Sequence, residues 1–353
     1  MRDIYRILDA NFNRAREALR VVEDCGRFAL NDPVVTATAK TMRSDLAEIY
    51  TAMPVLEMLT SRDTQGDLGT ELTSPTERQR ANLHDVAAAA LKRLTEALRT
   101  IEEYSKVISP HQTQRIERIR YSAYTLEQRL IGRLTVGWRL ANARLYVLIT
   151  PSQCRGSVLE TARAAIAGGA NVLQLRAKDL PDAAVLVLAA ELRELCDQTG
   201  TLLIVNDRAD IAAIVGADGL HLGQQDLPIA ASRRLLRPDA MVGRSTHSVE
   251  QALAAVNEGA DYIGIGPMFA TATKDYAPVG VEMLRNVAAA LRTESGTASI
   301  PLVAIGGITA ATAEEIFTAG ATCVAVSSAI CGAEDPRAVT AAIRARMGCA
   351  SRL

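Results

Sequence analysis

In the second part of this 353-residue chain, apolar runs end repeatedly in polar and charged residues whose types and spacing suit the binding of anions. One run ends Gln174-Leu175-Arg176-Ala177-Lys178, and the alternation of an extended segment puts Gln174, Arg176 and Lys178 on one side. An arginine fork, a lysine point charge and an amide together make an anion grip. A solvated charged loop is the plainer reading, and the other run ends decide against it. The next two runs lead into Asn206-Asp207-Arg208 and His221-Leu222-Gly223-Gln224-Gln225-Asp226. Each aspartate alone reads as a cap or loop residue. Two carboxylates at neighbouring ends, beside a cationic grip, instead suit a Mg²⁺ that keeps several waters and bridges to a diphosphate. His221 reads equally as a ligand-orienting group and as a structural histidine.

Gly243-Arg244-Ser245-Thr246-His247 lacks the second glycine of a nucleophile elbow, so Ser245 is a hydroxyl for hydrogen bonding rather than an acyl-transfer nucleophile. Further on, Thr271, Thr273 and Lys274 offer two hydroxyls and a cation, and Lys274 can neutralise a departing diphosphate. Gly306-Gly307 and Ser327-Ser328 close two later runs. Glycines and small hydroxyls opening a helix are suited to holding a phosphate monoester through backbone N–H groups. There are thus two anion sites, one with metal ligands and one without, as a diphosphate donor and a phosphorylated acceptor require.

These residues need a scaffold that brings many chain ends to one mouth. Eight β-rich runs, at 145–150, 171–176, 202–207, 219–222, 241–245, 262–266, 302–306 and 323–327, alternate with alanine- and leucine-rich helical stretches. That rhythm over just over 200 residues predicts an α/β fold, a (β/α)8 TIM barrel at 142–353 with its active site where the strands end. Residues 1–141 read as an all-α domain. Asp32-Pro33, Ser74-Pro75 and Ser109-Pro110 each put a capping side chain before a proline, and Ser74 with Glu77 and Ser109 with Gln112 suggest capping boxes. An irregular stretch at 61–73 joins the second helical region to the third, and after a passage at 132–143 the rhythm changes. The segment from Arg14 to Asp24 recurs 79 residues later, from Arg93 to Glu103, with six of eleven positions identical. Its Arg–Glu spacing of three makes a ladder of ion pairs, either a solvated face or a charged seam turned to the interior or to a ligand.

Lysine plus arginine number 39 against 40 aspartate plus glutamate, so no global field recruits nucleic acid or an anionic membrane. Six cysteines without a C-x-x-C pair fit a reduced, cytoplasmic protein with free thiols packed as small hydrophobes. The N-terminus carries no signal-like apolar run, and no uncharged stretch approaches the roughly 18 residues of a membrane span.

The motifs at 174–178, 206–208, 221–226, 243–247, 266–274, 305–308 and 328–330, in this order, resemble thiamine phosphate synthase. The resemblance implies that Gln174, Leu175, Arg176, Ala177, Lys178, Asn206, Ser245 and Lys274 hold a hydroxymethylpyrimidine diphosphate. It places Mg²⁺ on Asp207 and Asp226, and a thiazole phosphate on Thr271, Ala272, Thr273, Gly307, Ser327 and Ser328. Arg176, Ser245 and Lys274 would carry the catalysis, with no protein nucleophile. A barrel that only isomerises a thiazole phosphate, or a sensor that binds both ligands without turnover, are the competing readings, and product analysis separates them. Asp9-Ala10-Asn11-x-Asn13-Arg14-Ala15-x-Glu17 and Glu96-Ala97-Leu98-Arg99-x-x-Glu102-Glu103-Tyr104-x-Lys106 resemble a thiamine-pathway domain linked to phosphomethylpyrimidine kinase activity, which implies ATP as a ligand. With no phosphate-binding glycine loop in this half, a dimerisation module making a homo-oligomer competes with the kinase.

Overall fold

A computed structural model describes residues 1–30, 32–64, 66–67, 79–270, 277–293 and 300–347. The chain divides into two compact units, Met1–Thr135 and Val136–Leu353. Among the described residues no helix is long and apolar enough to cross a membrane.

The first unit is helical: α1 (Arg2–Asp24), α2 (Pro33–Thr51), α3 (Val55–Thr60), α4 (Leu83–Ile108) and the greater part of α5 (Thr113–Asn142), with a π-helical turn at Cys25–Ala29. In α1, Leu8, Phe12, Ala15, Leu19 and Val22 recur at helical spacing and are fully buried; in α4, Leu91, Leu94, Leu98 and Ile101 answer them. These stripes make one core, and α1 packs on both α4 and α2. Helix α5 runs through 132–142 with Leu134, Val136 and Leu140 buried, and the first strand follows at Leu145, so the strand rhythm begins after residue 143 as the sequence suggests.

Capping follows the sequence in one place and departs from it in another. Asp32 caps α2, accepting from Val34 N at 2.9 Å and Val35 N at 3.1 Å ahead of Pro33. Ser109 makes no side-chain cap; a 3₁₀ turn at Pro110–Gln112 intervenes and its hydroxyl faces His111, so the box with Gln112 does not form. Proline fixes the start of that turn, and the tighter winding turns the Ser109 side chain away from the N–H groups a box would need. The box proposed for Ser74 and Glu77 lies outside the described residues.

The sequence repeat builds one ion-pair set twice. Arg20 meets Glu23 at 3.9 Å and Asp24 at 3.3 Å; Arg99 meets Glu102 at 3.0 Å and Glu103 at 2.9 Å. The following helix supplies a further arginine each time, Arg43 to Glu23 at 2.9 Å and Arg120 to Glu102 at 2.6 Å. Glu23 and Glu102 are buried while Arg20 and Arg99 are half exposed, so the ladder has an interior edge and a solvated one.

In the second unit eight parallel strands close into a barrel in sequence order, β1 (Leu145–Ile149), β2 (Val172–Leu175), β3 (Leu202–Asn206), β4 (Gly219–Leu222), β5 (Met241–Thr246), β6 (Tyr262–Ile265), β7 (Leu302–Ile305) and β8 (Cys323–Val326). Helices α6 (Val158–Ala167) and α7 (Asp182–Thr199) are among those lying outside it. Alternation divides each strand between two cores. Leu145, Val147, Leu173 and Val205 pack outward, whereas Tyr146, Val172, Ile204 and Val303 fill the interior. Burial on both faces is why these strands read as unbroken apolar runs. The interior is fitted by size: a Cβ on Gly243 would lie 2.0 Å from Tyr262 Cζ, so that position must be glycine for the ring to lie across the barrel.

Asp32 is also the electrostatic tie of the helical unit. Its side chain is fully buried against Arg129 at 3.0 Å and against Arg133. Burial alone would raise its carboxyl; the two arginines and the Val35 N–H outweigh that and hold it below the ordinary range. The stability it supplies is therefore present above the ordinary carboxylate pKa and is lost as pH falls through the lowered one. Asp32→Ala should cost the helical unit ~3–5 kcal/mol by stranding the arginines and removing the cap. Hydrogen exchange checks this: amides of α2 should lose protection and barrel amides should not.

Candidate active site

A cavity of ≈ 450 Å³ opens at the C-terminal ends of the barrel strands. It brings together Gln174, Arg176, Asn206, Ser245, Gly307, Ser327 and Ser328 from five strand ends, although they are spread over more than 150 residues of chain. Its floor is a hydrogen-bonded row of side chains. Gln174 Nε2 donates to Tyr146 Oη at 2.7 Å, and Tyr146 Oη lies 3.2 Å from Tyr262 Oη. Tyr262 Oη lies 3.0 Å from His221 Nδ1, and His221 Nε2 is 2.8 Å from Ser245 Oγ. His221 stacks on the Tyr262 ring with centroids 5.5 Å apart. Burial holds both tyrosine hydroxyls above their usual range, so the two phenols stay protonated.

One wall is cationic. β2 ends at Leu175, the chain continues along the strand direction, and Arg176 reaches the cavity; its guanidinium has no ion-pair partner among the described residues. Leu175 and Ala177 face the outer core, so they can touch a ligand only through their backbone. Beyond Asn206 lies a carboxylate corner off the cavity lining. Lys178 Nζ is 2.9 Å from Asp207 Oδ2, and Asp226 accepts from Gly223 N at 2.5 Å. Asp226 is held above the usual carboxylate range, first by burial and then by the Asp207 carboxylate that shares its proton. Two neighbouring carboxylates, one of them raised by the other, fit a hard divalent cation that takes one or two protein carboxylates. No cluster of three or more potential metal-ligating side chains occurs among the described residues. Asp207 is the sole described non-glycine residue with positive φ, +62°. Its amide donates to His221 O at 2.9 Å, which pins the strained residue to the floor strand.

The opposite wall is backbone. Gly306 and Gly307 have φ of +102° and +66°, and a Cβ on Gly307 would meet Phe269 Cβ at 2.7 Å. After β8, a short helix at Ser328–Cys331, called α13 as the thirteenth α-helix in chain order among the described residues, begins with Ser327 at its cap position, and its first N–H groups have no helical carbonyl to bond. Ser327 Oγ turns inward, 3.1 Å from Leu148 O and 3.0 Å from Gln153 Oε1, so this end offers a ligand backbone donors more than a hydroxyl. Thr271, Ala272, Thr273 and Lys274 lie outside the described residues. Tyr146 and Tyr262 carry half the floor, yet in the sequence they are strand residues like any other. Their neighbours Gly243 and Gly264, at inward strand positions, were the available signal.

Fold and cavity together define a phosphate-binding (β/α)8 barrel with its site at the strand ends. The model of the family described as thiamine monophosphate synthase matches residues 145–330, and the chain belongs to that family. A thiamine-phosphate synthase of Nostoc punctiforme is 44% identical over 340 residues, 96% of this chain and 92% of its own, and one from Rhodopirellula baltica is 39% identical over 334 residues, 93% of this chain and 88% of its own. The solved thiamine phosphate pyrophosphorylase of Pyrococcus furiosus aligns with a TM-score of 0.53 at 36% identity, covering 59% of this chain and 96% of its own. Residues 6–129 match the ThiD2 family.

Positive φ at Asp207 separates strain from function. Asp207→Gly should be more stable than Asp207→Ala by about 1 kcal/mol, since glycine takes that conformation freely. If Asp207 holds a metal, as proposed below, both variants should lose turnover alike. Denaturant titration and steady-state rates measured on the same samples check this.

Proposed function

We propose that the barrel joins 4-amino-2-methyl-5-hydroxymethylpyrimidine diphosphate to 4-methyl-5-hydroxyethylthiazole phosphate, giving thiamine phosphate and diphosphate. What carries this reading is one cavity with two unlike anion walls: Arg176 beside a carboxylate pair on one side, and the Gly306-Gly307 turn with the opening of α13 on the other. A single monoester substrate, as in an isomerase, leaves the first wall without purpose. A sensor has no need of groups that favour a leaving diphosphate over a bound one.

The bond that breaks is from the exocyclic methylene carbon to the bridging oxygen, and its electron pair leaves with the diphosphate. The pyrimidine amino group donates electron density into the resulting cation. The thiazole nitrogen then gives its lone pair to the methylene carbon. No proton moves and no side chain is alkylated, in keeping with a cavity furnished with donors. Arg176 and Lys178 hold diphosphate oxygens, and Lys274 joins them. Gln174 and Ser245 orient the pyrimidine end, Asn206 steadies the anion, and the backbone wall, with Thr271 and Thr273, holds the thiazole phosphate close to its attack position. Asp207 and Asp226 would hold Mg²⁺, which supplies charge neutralisation to the diphosphate.

A second reading concerns the helical unit: that it phosphorylates the pyrimidine monophosphate from ATP and so supplies the barrel's donor. The ThiD2 match and the twinned Arg20 and Arg99 sets favour it over a purely structural module. Arg20→Ala and Arg99→Ala should then abolish ATP-dependent formation of the diphosphate and leave condensation intact. ATP consumption that is absent in the wild-type chain would exclude it.

Incubation with both phosphorylated substrates and Mg²⁺ should yield condensed product and diphosphate in equal amounts; product without diphosphate release, or neither, contradicts the condensation reading. Arg176→Ala should lower turnover at least 10²-fold, about 2.7 kcal/mol of barrier. Because Asp226 retains its proton to higher pH than a usual carboxylate, Mg²⁺ affinity should fall as pH drops through that raised value and recover above it. Mg²⁺ titrations of rate at mildly acidic and neutral pH check the sign.

A further inference from the structure

We propose that Gln174, Tyr146, Tyr262, His221 and Ser245 form a one-way hydrogen-bond relay that makes Ser245 a donor and Gln174 an acceptor toward the ligand, with the two tyrosines acting as positioning residues. The relay goes beyond the condensation reading, on which it rests only for what its two ends bind. Direction follows from counting protons. The Gln174 amide nitrogen can only donate, and it donates to Tyr146 Oη at 2.7 Å. Tyr146 therefore has its own proton free for the Tyr262 oxygen 3.2 Å away, and Tyr262 in turn gives its proton to His221 Nδ1 at 3.0 Å. Were Tyr262 to give its proton to Tyr146 instead, the Tyr146 proton would be left buried without an acceptor, so the sense set by Gln174 carries through. His221 with Nδ1 accepting is the neutral Nε2–H tautomer, and Nε2 then donates to Ser245 Oγ at 2.8 Å. The Ser245 hydroxyl, already accepting, points its own proton into the cavity it lines.

The two ends acquire opposite polarity. The carbonyl oxygen of Gln174 has no protein partner among the described residues and belongs to a side chain that lines the cavity, so it takes a donor such as an aromatic amino group. Ser245 gives a hydrogen bond to an acceptor such as a ring nitrogen or a phosphate oxygen. Were the relay reversed, both preferences would invert, and an amino group would be met at Gln174 by N–H against N–H. The barrel interior is shaped to hold the row in place. Tyr146 and Tyr262 are 1% and 0% exposed, so water cannot substitute for a missing link. Gly243 admits the Tyr262 ring, and a Cβ on Gly264 would come within 3.0 Å of His221 Cε1.

The test reads tautomer and kinetics separately in the full chain. With four histidines in the sequence, ¹⁵N-histidine labelling and a His221→Asn reference identify the His221 ring. The wild type should show the Nε2–H tautomer at neutral pH. Tyr262→Phe keeps the ring but removes the donor to Nδ1, so the His221 signals should shift to a tautomer mixture. KM for the aminopyrimidine diphosphate should rise about ten-fold, the worth of one buried hydrogen bond, with the thiazole phosphate KM unchanged. Tyr146→Phe leaves Tyr262 able to donate, so the tautomer should persist while the Gln174 end loosens and the same KM rises. An Nδ1–H tautomer in the wild type, or a Tyr262→Phe variant with unaltered His221 signals and KM, would overturn the relay. A wild-type chain that shows the Nε2–H tautomer but condenses nothing would instead reject the condensation reading alone.

Discussion

Two tyrosine hydroxyls shut inside a barrel must find partners, and the site is built on how they do so. An unpaired buried hydroxyl costs about 1–3 kcal/mol. Tyr146 and Tyr262 come from strands on different sides of the barrel, meet at its centre, and leave one unsatisfied position at each end of the pair. Gln174 takes one end and His221 the other, and His221 passes the demand on to Ser245. The packing of the interior and the orientation of the ligand-facing groups are thus one problem with one solution. Gly243 and Gly264 are part of it, because any side chain there would displace a ring.

Above that floor the walls are charged or polar in ways that suit anions of different kinds. Arg176 has no ion-pair partner among the described residues, while Lys178 is partly occupied by Asp207, and Asp207 crowds Asp226. On the proposed reading that corner takes a divalent cation and a polyanion together, since each relieves a repulsion the other leaves. The backbone wall across the cavity carries no net charge and suits a monoester, which needs less neutralisation. A carbon–oxygen bond that breaks toward the first wall is assisted by everything there, and one that broke toward the second would not be.

Much of this was legible in the residues. Each strand fell within a residue or two of its apolar run, since parallel strands buried on both faces leave an unbroken signal. Gln174, Arg176, Asn206 and Ser245 were legible because a barrel turns strand ends into a mouth, so sequence position alone implies convergence. The floor was not. Tyr146 and Tyr262 pair across 116 residues, and nothing local marks a tyrosine that faces inward from one that faces a helix. Ser109 shows the opposite limit: the local capping pattern was present, but a 3₁₀ turn took the residues that a box would have used.

The central claim is that the cavity stabilises a diphosphate departing with the electrons of a carbon–oxygen bond. Substrate labelled with ¹⁸O at the oxygen bridging the methylene carbon and the diphosphate tests it directly. After turnover with the thiazole phosphate, mass spectrometry of the released diphosphate should find the label there, with none left on the pyrimidine. Label retained on a pyrimidine carbinol, or lost to water, would mean that a phosphorus–oxygen bond breaks instead, and the account of Arg176 and the carboxylate corner would be wrong.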